Sequence, residues 1–302
     1  MFSVEKVRKF FKGNISISEP LSRFTTFRIG GPADYYLEPL DREDLVNLIK
    51  YLNEIGYPFI IIGNGSNILI SDEGIRGAAI NLEFGFNKIE VSKNFVFAEA
   101  GIKLSKLVDV CIENSLVGIE NLAGIPGTLG GAILMNAGAY GGEISDYILK
   151  VEIFDGEKIL FLSKEECGFA YRKSNLEGKI ILSAEFQLQT GDKEKAKARR
   201  KELLLKRNQS QPVELPNAGS IFKNPPNDFA ARLIEQAGLK GFTIGGAKVS
   251  EKHANFIVNF NNASANDVLK LMKIIQESVY QKFGIELEPE IKMVGFSKDV
   301  KV

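Results

Sequence analysis

Phe59-Ile60-Ile61-Ile62-Gly63-Asn64-Gly65-Ser66-Asn67-Ile68-Leu69-Ile70 is the stretch whose reading decides the fold. Its first four residues are apolar and three are β-branched, which suits a short buried strand. The run breaks at a polar glycine loop, and Ile68-Leu69-Ile70 resumes as a second strand. A helix leads into it: Leu45, Leu48, Ile49, Leu52 and Ile55 recur at helical spacing from Asp41, with Asp44 placed for a capping interaction and Gly56 as the stop. Helix, strand, glycine loop and strand in succession imply a mixed α+β architecture.

Outward from that unit the same mixture continues. Strands are expected at 78–82, 88–91, 95–98, 151–154, 158–161 and 180–187, and a helix at 104–114 carries Leu107, Val108, Cys111 and Ile112 along one side. This first part ends near residue 190. The next stretch, 191–210, is dense in Lys and Arg, has only Leu203, Leu204 and Leu205 as strongly apolar residues, and reads as a solvated connecting helix. Beyond Pro212 and Pro216 come a loop to Asn224, a helix at 227–237 closed by Gly238, and a strand at 256–260. Ser264 and Asp267 then form a capping box for a helix bearing Val268, Leu271, Met272, Ile275 and Val279, stopped by Gly284. The final strand is Glu290-Ile291-Lys292-Met293-Val294, so 211–302 is expected to be a small separate α+β unit.

Composition limits the function classes. The chain has 302 residues, 44% hydrophobic and 25% charged, enough for more than one packed core. Lys plus Arg equals Asp plus Glu at 38 each, so there is no global field suited to nucleic acid or an anionic membrane, and any anion site is local. No apolar run approaches the roughly 18 residues that span a bilayer, and Met1-Phe2-Ser3-Val4-Glu5-Lys6 begins no signal peptide, so a cytoplasmic protein without membrane insertion is expected. Cys111 and Cys167 are too few for a disulfide framework, lack metal-ligand spacing, and read as reduced structural residues; no metal site is expected.

Two glycine-rich segments carry the chemistry. Ile62-Gly63-Asn64-Gly65-Ser66-Asn67 follows a strand, where small residues let backbone N–H groups approach a phosphate. It lacks the Gly-Lys-Ser/Thr of a P-loop and opens no helix as a Rossmann loop does, and alone it reads equally as a plain turn. The second segment, Gly124-Ile125-Pro126-Gly127-Thr128-Leu129-Gly130-Gly131-Ala132, starts a stretch with seven glycines in 19 residues and is followed by Asn136-Ala137-Gly138-Ala139-Tyr140. Glycine this dense costs backbone entropy, which a ligand pressed against the main chain would explain. The two segments lie about 60 residues apart and suit a long ligand with a diphosphate at its middle.

Thr26-Phe27-Arg28-Ile29-Gly30-Gly31-Pro32-Ala33, the two glycine segments, Tyr171-Arg172, Gly219-Ser220-Ile221-Phe222-Lys223-Asn224-Pro225 and Glu288-Pro289-Glu290 occur in this order across nearly the whole chain. Together they resemble the UDP-N-acetylenolpyruvoylglucosamine reductase (UDP-N-acetylmuramate dehydrogenase) family. The glycine segments alone point only to the wider class of FAD-binding domains of the vanillyl-alcohol oxidase type. The resemblance implies a two-lobed FAD-binding domain over 1–190, with lobes at about 20–84 and 85–190, and a substrate-binding domain over 211–302 whose last strand returns to the active site. It also implies non-covalent FAD, NADPH as co-substrate, a UDP-sugar substrate and a monomer. Ile62, Gly63, Asn64, Gly65, Ser66, Asn67, Gly124, Ile125, Pro126, Gly127, Thr128, Gly130, Gly131 and Ala132 are the implied cofactor residues; Tyr171, Lys223 and Asn224 the implied substrate residues.

The catalytic roles that the resemblance implies fall on Arg172, Ser220 and Glu290, and each makes chemical sense. Hydride arriving at the β-carbon of an enolpyruvyl ether leaves negative charge on the α-carbon and its carboxylate. Arg172 offers a planar fork for that carboxylate, and Ser220 can protonate the α-carbon if held within reach. Glu290 helps only if it is protonated or shares a proton, because a bare carboxylate repels the developing charge. Taken singly, these residues read as a surface arginine, a turn serine and an exposed strand carboxylate. Lys223 and Asn224 read either as diphosphate ligands or as loop-shaping residues. His253, the only histidine, lies too far along the chain for an N-terminal covalent flavin tether and reads as structural. No long tyrosine-bearing insertion separates Arg172 from the Ser220 loop, which matches the shorter second type and leaves Tyr140 without a substrate-capping part. Two other readings compete: an FAD-dependent oxidase on the same scaffold, and a flavin-binding protein without turnover.

Overall fold

The computed structural model describes residues 2–297. The chain divides into two compact units that interleave in sequence. One takes the N-terminal residues through Ile17, then Tyr35–Asn64 and Gly77–Lys206; the other takes Ser18–Asp34, Gly65–Arg76 and the residues from Arg207 onward. Residues 20–84 therefore contribute to both units. Phe27, Ile29 and Leu69 are buried in the same apolar cluster as Ile221, Leu271 and Ile275, so burial assigns these early segments to the C-terminal core.

The first unit centres on a five-stranded antiparallel sheet, ordered Ile159–Ser163, Ile148–Phe154, Ile180–Gln187, Phe95–Glu99, Ile89–Ser92. Phe59–Ile62 pairs in parallel with Ile75–Asn81, Ile60 opposite Ala79 and Ile61 opposite Ile80. Helices Arg42–Glu54 and Leu104–Glu113 bury Leu45, Leu48, Ile49, Leu52, Leu107, Val108, Cys111 and Ile112 in one core, as the 3.6-residue spacing requires. Asp41, rather than Asp44, caps the first helix by accepting the Asp44 N–H at 2.9 Å. The buried Asp44 carboxylate instead takes the N–H groups of Lys12 and Leu40 at 3.0 and 3.1 Å. The basic connecting helix spans Lys193–Ser210.

The second unit holds a four-stranded antiparallel sheet, ordered Asn217–Ser220, Phe256–Asn259, Ala247–Val249, Thr243–Ile244. Helix Ala265–Phe283 starts with the expected reciprocal bonds between Ser264 and Asp267 and ends at Gly284, whose left-handed φ of 68° only glycine adopts without strain. The shorter helix Ala230–Gln236 begins three residues later than its apolar pattern suggests. Asn224 Oδ1 accepts the Ala230 N–H at 3.1 Å, so the first turn is capped from outside. The last strand is Lys292–Val294, paired in parallel with Ile68–Ile70. No described helix is long and apolar enough to cross a membrane.

Candidate active site

In the first unit Ile62 and Gly63, the start of the first glycine-rich segment, meet the second segment, while Gly65, Ser66 and Asn67 belong to the second unit. A Cβ on Gly63 would stand 2.2 Å from Thr128 Oγ1, a distance that only glycine tolerates at the end of strand Phe59–Ile62. Ile62, Gly63, Thr128, Gly130 and Gly131 line an open, mainly apolar cleft. Ile61, Leu82, Glu83, Ala100, Gly101, Leu134, Lys179, Ile180 and Ile181 complete it. Sequence reasoning missed these nine because they come from strands, turns and a helix end outside the two glycine-rich segments. Main-chain bonds fix the second segment: Leu129 and Gly130 donate to Ile102 and Ala100 carbonyls at 2.7 and 2.8 Å, and Leu104 donates to Gly127 at 3.0 Å. On Gly131 a Cβ would meet only Thr128 Oγ1 at 3.7 Å, so that main chain borders open space. An apolar cleft bordered by bare backbone fits an aromatic ring system with a phosphate-bearing tail. Glu83 is the cleft's carboxylate; burial raises its pKa, opposed by Lys103 at 3.9 Å.

Arg172 belongs to the same unit. Ala170 and Lys173 exchange main-chain bonds of 2.9 and 3.0 Å, so Tyr171 and Arg172 form the tip of a tight turn. Arg172 has φ 55°, a left-handed conformation that a non-glycine residue keeps only when its surroundings hold it. Its guanidinium donates to the Gly138 carbonyl at 3.0 Å and lies over the Tyr171 ring, 5.0 Å from the centroid. Tyr140 Oη donates to the Leu203 carbonyl at 3.1 Å and so serves the connecting helix.

In the second unit Ser220 and Glu290 are held by the main chain. Gly219 has φ 76° and donates to Asn217 Oδ1 at 2.9 Å, which bends the strand just before Ser220. The Glu290 N–H donates to the Ile221 carbonyl at 2.8 Å, Lys223 N–H donates to the Glu288 carbonyl at 2.9 Å, and Phe222 bridges Pro289 between them. Buried Asn255 fastens the other edge, accepting the Phe222 N–H at 3.0 Å and donating to its carbonyl at 2.7 Å. Asn67 Nδ2 donates to the Glu290 carbonyl at 3.2 Å, so this loop side chain fixes the Glu290 segment. Lys223 Nζ pairs with Glu288 Oε1 at 2.5 Å, and Asn224 caps a helix as described. His253 Nδ1 is buried without a hydrogen-bond partner, burial lowers its pKa, and its ring meets Phe256 edge-on at 4.8 Å. These are the properties of a half-buried structural histidine. Burial likewise pushes the Cys111 thiol up to about 12 and Cys167 to about 11. Among the described residues no acidic, histidine or cysteine cluster could hold a metal ion.

A family profile described as an FAD binding domain matches residues 33–158, which defines the class: a protein with an FAD binding domain followed by a further C-terminal part. A second profile, UDP-N-acetylenolpyruvoylglucosamine reductase, C-terminal domain, matches residues 211–294. The chain is 49% identical to the UDP-N-acetylenolpyruvoylglucosamine reductase of Caldanaerobacter subterraneus over 97% of its own length and 98% of that protein. It is 46% identical to the one from Chloroherpeton thalassium over the full length of both. The chain belongs to the UDP-N-acetylenolpyruvoylglucosamine reductase family. The crystal structure of the Thermus caldophilus reductase, 37% identical, covers 94% of this chain and 100% of that one with a TM-score of 0.82. A berberine bridge enzyme variant, 14% identical, matches 63% of this chain and 43% of that one at a TM-score of 0.50 and shares the fold alone.

Proposed function

We propose that this protein reduces UDP-N-acetylglucosamine enolpyruvate to UDP-N-acetylmuramate with electrons from NADPH and FAD as cofactor, in peptidoglycan precursor synthesis. The observation that carries the reading is 49% identity over 97% of the chain to a named reductase. When bound, FAD supplies hydride relay from NADPH to the β-carbon of the enolpyruvyl group. Ile62, Gly63, Asn64, Gly65, Thr128, Gly130 and Gly131 hold it through main-chain groups, with Gly124, Ile125, Pro126, Gly127 and Ala132 shaping the segment.

Arg172 holds the substrate carboxylate through its guanidinium and stabilises the charge that hydride addition places there. Ser220 Oγ donates its proton to the α-carbon, which completes the lactyl ether, and Ser220 recovers the proton from solvent. Glu290, in protonated form, donates a hydrogen bond to the same carboxylate. Tyr171 and Lys223 contact the UDP-sugar. We assign a cytoplasmic location, where NADPH and soluble UDP-sugars are found, and a monomeric state without nucleic acid, which size-exclusion with light scattering checks.

The test is the product made in deuterated water under anaerobic conditions. The reading expects UDP-N-acetylmuramate, formed without oxygen, with deuterium at the α-carbon. Oxidation of NADPH that needs oxygen and leaves the enolpyruvyl sugar unchanged refutes it in favour of an oxidase.

A further inference from the structure

The turn that carries Arg172 is tied to the segment just after the second glycine run by three hydrogen bonds. Asn136 Nδ2 donates to the Ala170 carbonyl at 3.1 Å, Arg172 donates to the Gly138 carbonyl at 3.0 Å, and Ser174 Oγ donates to the Leu134 carbonyl at 2.8 Å. Residues 170, 172 and 174 thus meet 136, 138 and 134 through side chains, where no strand pairing exists. Asn136 is the centre of this array. It is 1% exposed, it has φ 42°, and its amide also donates to Glu143 Oε2 at 2.6 Å and accepts the Ser145 N–H at 3.3 Å. A buried amide with three satisfied bonds and a strained main chain is over-determined, which is what a fixed aim for a neighbouring group requires. Leu134, at the other end of the array, itself lines the cleft with Gly130 and Gly131.

We propose that Asn136 is a positioning residue for Arg172: its amide fixes the Ala170–Lys173 turn so that the guanidinium is aimed before substrate arrives, with Ser174 as the second tie. The proposal rests on the carboxylate-binding role given to Arg172 above. Preorganisation of this kind lowers the reorganisation needed when charge develops, and leaves the affinity for FAD alone.

Asn136→Ala in the FAD-loaded protein is expected to weaken equilibrium binding of UDP-N-acetylmuramate and to slow substrate-driven flavin reoxidation, each about tenfold. FAD content and flavin reduction by NADPH stay unchanged. In an Arg172→Lys background the same substitution adds no further loss, since both act through one group. A loss spread equally over FAD content and both half-reactions, or a full additional loss in the Arg172→Lys background, overturns the proposal in favour of a purely structural asparagine. If Arg172→Lys is impaired while Asn136→Ala is normal, the positioning role alone fails; if Arg172→Lys itself binds and reduces substrate normally, the role of Arg172 fails and takes the proposal with it. Should Asn136→Ala not fold, Ser174→Ala is read by the same ratios, with the same selective loss expected and the same uniform loss overturning it.

Discussion

Arg172 and the pair Ser220 and Glu290 are held by different means. Arg172 sits at the tip of a turn whose ties run through side chains, Asn136, Ser174 and its own guanidinium. Ser220 and Glu290 sit on segments joined to each other by main-chain bonds from Glu290 to Ile221 and from Lys223 to Glu288, to which Asn67 and Asn255 add side-chain ties. The difference teaches where each site is vulnerable. A side-chain tie is lost with one substitution, whereas a main-chain tie survives most substitutions and yields only to changes in backbone conformation.

The largest effect is expected from removing the proton donor on the main-chain-held side. Ser220→Ala should slow substrate-driven flavin reoxidation by about 10² to 10⁴ while leaving Tm and flavin reduction by NADPH unchanged, because the loop keeps its shape without the hydroxyl. Stopped-flow absorbance of the two half-reactions checks it. On the side-chain-held side, Arg172→Lys keeps the charge but loses the planar fork and should cost about 10- to 100-fold in the same half-reaction, visible mainly as a raised KM for the UDP-sugar.

Backbone conformation supplies the next test. Gly65 has φ 58°, and a Cβ there would stand 2.2 Å from the Phe24 carbonyl oxygen and 2.7 Å from Thr25 Cα. Gly65→Ala should therefore destabilise by about 1–3 kcal/mol and lower FAD content, measured by denaturant unfolding and by the flavin-to-protein absorbance ratio. Native-like stability with full flavin content would mean that the loop relaxes freely.

The smallest effect concerns pH. Burial lowers the pKa of His253 in the folded chain, so below the ordinary value of 6.5 the unfolded chain takes up the proton first. Stability from this group is complete above pH 6.5 and declines as pH falls towards the folded-state value. Unfolding curves of His253→Gln should show a flatter acid limb than the parent protein. An unchanged acid limb would place the histidine in an environment as polar as water.

Local patterns made much of this legible. The strand, glycine loop and strand at 59–70, the capping box at Ser264 and Asp267, and the stop at Gly284 all follow from periodicity and turn chemistry over a few residues. The interleaving of the two units was not legible, because nothing within 18–34 or 65–76 says which core Phe27, Ile29 and Leu69 enter. Strands Asn14–Pro20 and Pro32–Glu38 also escaped, since their exposure alternates irregularly and the first carries a positive φ at Ser18. For the site, the glycine runs and the Ser220 segment carried the signal, but Asn136 did not stand out: a buried asparagine followed by Ala137 and Gly138 reads as turn punctuation until its partners at Ala170, Glu143 and Ser145 are known. Asn224 was ambiguous in sequence because a helix-capping asparagine and a ligand-binding one look alike without the Ala230 N–H in view.

The central claim is that electrons entering from NADPH leave to the enolpyruvyl sugar. Under anaerobic conditions, NADPH added to the FAD-loaded protein should bleach the flavin band, and UDP-N-acetylglucosamine enolpyruvate should restore it without oxygen. A band that stays bleached with the enolpyruvyl sugar and returns only on admission of air would contradict the account.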